Sequence, residues 1–285
     1  MKRVAVITGA SSGIGRASAA ELVKRGYVVY DLSRTENPQA GVKHIDCDVT
    51  KTDTIQSAFA QIREEAGRID LLLLSAGMGV AGAIEFTTES EMQRQFDVNL
   101  YGPIRVIQAA LPIMRTQAMQ ERNNVFGLEG KGLRSLIGCP YKERGRIVFV
   151  SSMTAAFSIP FQSMYSATKS ALNSFAFALR NELKHYDIRV SSVMPGDVHT
   201  NFKRTTDLNG SDIYPHMKPA IEQMIHDEEN GLTSEQVARR VMRASLRRRP
   251  AIFYTSDLLS DLERFAARIV TSNMAVRIVG MMYKS

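Results

Sequence analysis

Tyr165 and Lys169 lie four residues apart in the run Tyr165-Ser166-Ala167-Thr168-Lys169, so on a helix they share one face and reach a common point. A tyrosine titrating at about pH 10 carries protons poorly at neutral pH, and a neighbouring ammonium favours the phenolate and brings that titration toward the working range. Ser151-Ser152 closes a preceding apolar run, and the Ser152 hydroxyl can donate a hydrogen bond to a carbonyl oxygen beside the phenol. Together these groups supply what acid–base chemistry at a carbonyl or alcohol requires. On its own the pattern is weak, because most Tyr-x-x-x-Lys pairs are a buried tyrosine beside a solvated lysine.

A second signal stands near the start of the chain, in Thr8-Gly9-Ala10-Ser11-Ser12-Gly13-Ile14-Gly15. Gly9 permits a tight turn off a strand, Gly13 lets the backbone approach a pyrophosphate, and Gly15 lets the following helix sit close to the sheet. The helix N-terminus then offers free N–H groups and the positive end of its dipole to an anion. A glycine triplet alone is no better than a turn. Its position directly between an apolar strand and a helical pattern gives it weight.

The elements that must position these groups alternate along the chain. Short apolar runs at Val4–Ile7, Val28–Leu32, His44–Cys47, Leu71–Leu74, Ile147–Val150, Arg189–Val193 and Ala251–Tyr254 read as strands, most of them separated by helical patterns. That rhythm predicts one α/β domain over 1–285, a doubly wound parallel seven-stranded sheet with helices on both faces. The segment 120–144, with its scattered glycines, is long for a helix-to-strand connection. Either the preceding helix continues past Met119 and a glycine-rich loop returns the chain, or the segment is a functional lobe.

Composition excludes other classes. Among 285 residues, 44% are hydrophobic and 23% charged, which is ordinary for a globular protein and unlike a disordered chain. Cys47 and Cys139 are the only cysteines and form no CxxC pair, so neither a disulfide framework nor a cysteine-rich metal site is expected. No signal peptide or spanning segment is read, and a cytoplasmic protein is expected. The formal charge is +7, with Arg239, Arg240, Arg243, Arg247, Arg248 and Arg249 clustered before Pro250. No aromatic residue interleaves that run, so it reads as a solvated helix face rather than a nucleic-acid patch.

With these motifs in order, the chain resembles the short-chain dehydrogenase/reductase family over nearly its whole length, apart from 120–144 and 256–285. The resemblance rests on Thr8 through Gly15, Ser75-Ala76-Gly77, Asn99, Ser152, Tyr165 with Lys169, and Pro195-Gly196. It implies a Rossmann-type fold and an oxidoreductase that interconverts a ketone and a secondary alcohol by hydride transfer. Tyr165 would be the general acid/base. Lys169 would lower its pKa and hold the nicotinamide ribose, Ser152 would orient the carbonyl, and Asn99 would support a proton-relay water. For the cofactor it implies Gly9, Ser11, Ser12, Gly13, Ile14 and Gly15 at the pyrophosphate, and Asp48 and Val49 at adenine. Ala76 and Gly77 would lie beside the cofactor, and Pro195, Gly196, Val198 and Thr200 near the nicotinamide. Leu74 and Ser75 replace the two asparagines often found before Ala-Gly, which puts the local geometry there in question.

The end of strand two selects the cofactor, since an acid there accepts from a free ribose 2′-OH and an arginine binds a 2′-phosphate. By the family's alignment the deciding position is Ser33, followed by Arg34, a pair suited to NADP(H) rather than NAD(H). Asp31 then falls inside the strand. After Pro195-Gly196 the segment 197–232 is expected to form a substrate lid. Its Phe202, Tyr214, Met217, Ile221, Met224 and Ile225 would line an apolar pocket or simply pack a helix on the core. The tail 256–285 could cover the substrate mouth, pack on a partner subunit or touch a membrane surface. The expected partners are a small carbonyl or alcohol substrate and a second copy of the chain, as homodimer or homotetramer. A catalytically silent NADP-sensing protein on the same fold is the alternative.

Overall fold

In the computed structural model, residues 2–126, 145–200, 202–247, 250–257, 260–262, 264–265 and 271–283 are described. The segment 127–144, which holds most of the expected insertion, lies outside them. Seven strands form one sheet in the order β3-β2-β1-β4-β6-β7-β11, and every pairing is parallel. They are β1 (Val4–Thr8), β2 (Val28–Ser33), β3 (Val42–Asp46), β4 (Leu71–Leu74), β6 (Gly145–Val150), β7 (Ile188–Met194) and β11 (Phe253–Thr255). All seven expected runs are strands of this sheet. The chain reverses its direction of travel across the sheet between β1 and β4, where a crevice opens at the carboxyl ends of the strands.

Residue alternation assigns the two faces. Val4, Val6, Leu72 and Leu74 point into one buried cluster, and Ala5, Ile7, Leu71 and Leu73 into the other. Because both faces are covered, the central strands β4 and, up to Ile7, β1 are continuously apolar rather than alternating. The first cluster is closed by α2 (Thr52–Glu65), α4 (Gly102–Phe126) and α5 (Ser163–Glu182) through Ile55, Phe59, Ile107, Met114, Leu172 and Leu179. The second is closed by α1 (Gly13–Lys24) and α7 (Ser234–Leu246) through Ala19, Leu22, Val241 and Met242. Arg239 and Arg243 face solvent on α7 while Arg240 donates to the Ser256 carbonyl, as a solvated helix face requires. Helix α4 does continue past Met119, to Phe126.

Three short pairings give the carboxyl edge its shape. β5 (Gly79–Ala81) pairs with β9 (Arg204–Thr206), and β8 (Val198–His199) pairs with β10 (Leu232–Thr233). Between them runs α6 (Met217–Glu229), whose Met217, Ala220, Ile221 and Met224 pack with Ala81, Ala83 and Tyr283 in a third cluster. A short helix α3 (Glu89–Phe96), closed by a Thr88–Glu91 capping box, leads into a π-helical turn at Asp97–Tyr101. Helix α8 (Ser272–Met282) follows near the end of the chain, its first turn capped by Thr271.

At the opposite edge one carboxylate joins three elements. Asp70 accepts from the Val4 amide at 2.8 Å, from Arg68 Nε at 2.9 Å and from Gln117 Nε2 at 3.2 Å. Gln117 in turn accepts from the Ile69 amide at 3.0 Å, so β1, the start of β4 and α4 are tied together. Asp70→Ala is expected to cost about 2–3 kcal/mol and to lower Tm by roughly 5–10 °C, because it strands partners in a half-buried place. Thermal denaturation of the purified variant measures this.

Candidate active site

The glycine-rich turn is built by close approach. Gly9 adopts φ +73° beneath Ala76, where a Cβ would lie 3.1 Å from the Ala76 Cα. A Cβ on Gly15 would lie 2.3 Å from the Gly9 carbonyl oxygen, so only glycine lets α1 start there. Two side chains hold the turn. Asp31, buried in β2, accepts from the Ala10 amide at 2.8 Å and from the Ser33 hydroxyl at 2.8 Å. The Thr8 hydroxyl accepts from the Ser75 and Ala76 amides at 3.1 and 3.2 Å. The backbone after β4 is therefore positioned without the asparagines that Leu74 and Ser75 replace.

Tyr165 and Lys169 stand on one face of α5, against the end of β6. Lys169 is buried, and its ammonium donates to the Val150 carbonyl at 3.1 Å and lies 5.5 Å from the centre of the Tyr165 ring. Ser152 caps the short 3-10 turn Met153–Ala155, accepting from the Thr154 amide at 3.2 Å. Asn99, on the π-helical turn, accepts from the Met78 amide at 2.9 Å and donates to the Met78 carbonyl at 2.8 Å and to Thr168 Oγ1 at 3.2 Å. Its side chain thus fastens the strand after β4 to α5.

Burial pushes the Tyr165 phenol up to about 12, and the charge of Arg204 and a hydrogen bond with Ser152 oppose the rise. Burial also pushes the Lys169 ammonium down to about 8. A pairwise argument from spacing sees the attraction between two charges and omits what it costs to remove each from water. Burial likewise pushes the Cys47 thiol up to about 11, so it is protonated and inert. Burial acts against ionisation of Asp48, yet its bonds with Thr50 and the charges of Arg34 and Lys51 hold its carboxyl below the usual range.

One cavity of about 460 Å³ runs along this edge and joins the two motifs. At one end lie Gly9, Ser11, Ser12, Gly13, Ile14, Ser33, Arg34, Asp48, Val49, Ala76 and Gly77; at the middle lie Ser152, Tyr165, Lys169, Pro195, Gly196, Val198 and Thr200. Gly15 and Asn99 are not on its wall and act from behind it. The far end is mostly apolar, with Met153, Phe157, Ile159, Met224, Ile278, Val279 and Met282. Of the expected lid side chains, Phe202 and Met224 line the cavity. Met217 and Ile221 are core, Tyr214 packs edge-on against Phe161, and Ile225 is exposed.

Sequence reasoning missed Arg204 and Glu228. Arg204, on β9, makes a two-pronged ion pair with Glu228 of α6, one prong at 2.8 Å. Its guanidinium lies 5.8 Å from the Phe202 ring centre, and that ring sits edge-on to Tyr165 at 5.9 Å. No local motif marks this pair, because it depends on β9 pairing with a strand far away in the chain.

A phosphate-accepting turn at a topological switch point, opening into a cavity with a tyrosine, a lysine and a serine, defines a dinucleotide-dependent oxidoreductase of the doubly wound α/β class. The family model for short chain dehydrogenases matches residues 3–209, and the chain belongs to that family. It is 31% identical over 254 residues to a 3-ketodihydrosphingosine reductase of Bacteroides thetaiotaomicron, covering 87% of this chain and 85% of that one. It is 30% identical over 224 residues to the NADPH-dependent 1-acyldihydroxyacetone phosphate reductase of Saccharomyces cerevisiae, covering 75% and 67% of the two chains. Among solved structures, a short-chain dehydrogenase from Streptomyces avermitilis superposes with a TM-score of 0.79 at 25% identity, covering 100% of this chain and 97% of that one.

Lys169→Met provides a test of the buried ammonium that is independent of turnover. With a pKa of about 8 in the folded protein against an ordinary 10.5, Lys169 costs stability below pH 8, and that cost disappears as pH rises toward 10.5. Without nucleotide, Lys169→Met is expected to melt higher than the native protein at pH 7, and the difference should shrink by pH 10. Melting curves across that range check both the sign and the window.

Proposed function

We propose that the protein reduces a ketone carried on a long apolar chain, with NADPH as hydride source and Tyr165 as proton donor. The observation that carries this reading is one cavity with two chemistries, polar and glycine-lined at one end and apolar at the other, meeting at Ser152, Tyr165 and Lys169. The two relatives named as reductases of 3-ketodihydrosphingosine and 1-acyldihydroxyacetone phosphate support a chain-bearing ketone, and the second supports NADPH.

The residues fit the cofactor, since the cradle at Gly9 and Gly15 leaves no room for a side chain. Gly9, Ser11, Ser12, Gly13 and Ile14, with the start of α1, would receive the pyrophosphate. Asp48 and Val49 would face the adenine, and Ala76 and Gly77 would lie beside the ribose. Pro195, Gly196, Val198 and Thr200 would hold the nicotinamide end. Exposed Arg34 would take the 2′-phosphate, with Ser33 leaving it room. Asp31 is committed to Ala10 and Ser33, which favours NADPH over NADH.

When bound, NADPH supplies a hydride to the carbonyl carbon. Ser152 would hold the carbonyl oxygen, and Tyr165 would pass its hydroxyl proton to that oxygen. Burial alone would make the phenol a weaker acid, and the hydrogen bond with Ser152 and the charge of Arg204 act against that rise. Lys169 would bind the ribose and return the proton from solvent, with Asn99 fixing the backbone around it. Arg204 keeps the phenol from rising further.

Tyr165→Phe should lower kcat for ketone reduction by about 10²–10⁴-fold while leaving NADPH affinity nearly unchanged, measured by NADPH absorbance and fluorescence titration. Retained turnover would refute the role, and tight binding with no turnover by the native protein on any ketone would favour the silent sensor. Arg34→Ala should weaken NADPH binding by roughly ten- to a hundred-fold and leave NADH binding unchanged. Arg204→Met should lower kcat for ketone reduction at neutral pH, because it removes a charge that lowers the Tyr165 pKa and leaves the phenol a weaker proton donor. An unchanged kcat would remove Arg204 from the scheme.

A further inference from the structure

Helix α8 has two apolar sides and only one of them is used. Val279 and Tyr283 face the cluster beneath α6, and with Ile278 and Met282 they line the far end of the cavity. On the other side, Met274 and Met281 are seven residues apart and so fall on one helical face, with Ile278 at the border between that face and the cavity wall. Met274 is 53% exposed and Met281 73%. No described residue covers this strip, and a run of large exposed apolar side chains marks a contact surface.

We propose that α8 docks in the surface of an anionic lipid bilayer and holds the apolar end of the cavity against it. Charge selects this occupant. From Arg264 to Ser285 the sequence carries Arg264, Arg268, Arg277 and Lys284 and not one acid, and Arg277 is exposed on α8 itself. Such a strip complements a negative membrane surface, whereas a second copy of the same strip would set like charges together. No helix among the described residues is long and apolar enough to cross a membrane, so the contact is one of lying in the interface. Since Ile278, Val279 and Met282 are cavity wall, a chain-bearing ketone could pass from lipid to Tyr165 along the same helix. That delivery step rests on the function proposed above; the docking does not.

The test uses the full chain with two vesicle types, pure phosphatidylcholine and phosphatidylcholine mixed with phosphatidylglycerol. The native protein should sediment with the anionic vesicles and only weakly with the neutral ones. Met274→Asn with Met281→Asn should lower that partition at least ten-fold, and Arg277→Gln should lower it several-fold and leave the remaining binding less sensitive to salt. None of these residues lines the cavity, so turnover of a short water-soluble ketone should stay unchanged in both variants. That control separates the two readings: loss of soluble turnover in the native protein indicts the function, not the docking. Native protein that stays in the supernatant with anionic vesicles overturns the docking. So does unchanged binding by the paired asparagine variant, or a native dimer that the same variant splits into monomers.

Discussion

The site depends on keeping an ammonium out of water. Lys169 reaches its place because β6 ends at Val150, leaving a carbonyl at the sheet edge with no further strand partner to satisfy, and that carbonyl accepts from the lysine. Ser151 donates to the Lys169 carbonyl at 3.2 Å, and Thr168 is held by Asn99, so the turn of α5 that carries the lysine is fastened on both sides. A buried cation with so little neutralisation is costly. The apolar strands around it supply the surplus that lets the fold bear that cost.

From this constraint the rest of the carboxyl edge follows. The groups that need water excluded sit where β1, β4 and β6 end, and the walls that exclude it come from segments with little regular structure. β5 and β9 are three residues each, and β8 and β10 two. They gain their order from α6 and from the Arg204–Glu228 pair rather than from their own ladders. The polar half of the cavity is set by backbone geometry and is rigid. The apolar half is set by side chains on α6 and α8.

Legibility in the sequence tracks the range of the interactions. The central strands were readable because strands buried on both faces are apolar throughout, as Val4–Ile7 and Leu71–Leu74 are. The glycine turn, Ser152, Tyr165 and Lys169 were readable because each motif is local and its chemistry fixes its spacing. Arg204 and Glu228 were not, since their meeting depends on a three-residue pairing across more than a hundred positions. The titration of Tyr165 depends on its surroundings in the fold as well as on its neighbours in the chain. Its neighbours are visible in sequence, but the depth at which the fold places it is not.

Helix α4 bears on how this chain can vary. Its first turn touches the carboxyl edge, where Gly102 lies against Val49, and by Met114 it has reached Gly145 at the amino edge of β6. It continues to Phe126, about 18 Å further at 1.5 Å per residue. The far end of α4 is therefore remote from the nucleotide turn. A substitution on the described last turns of α4 reaches the chemistry only along the helix and through the sheet.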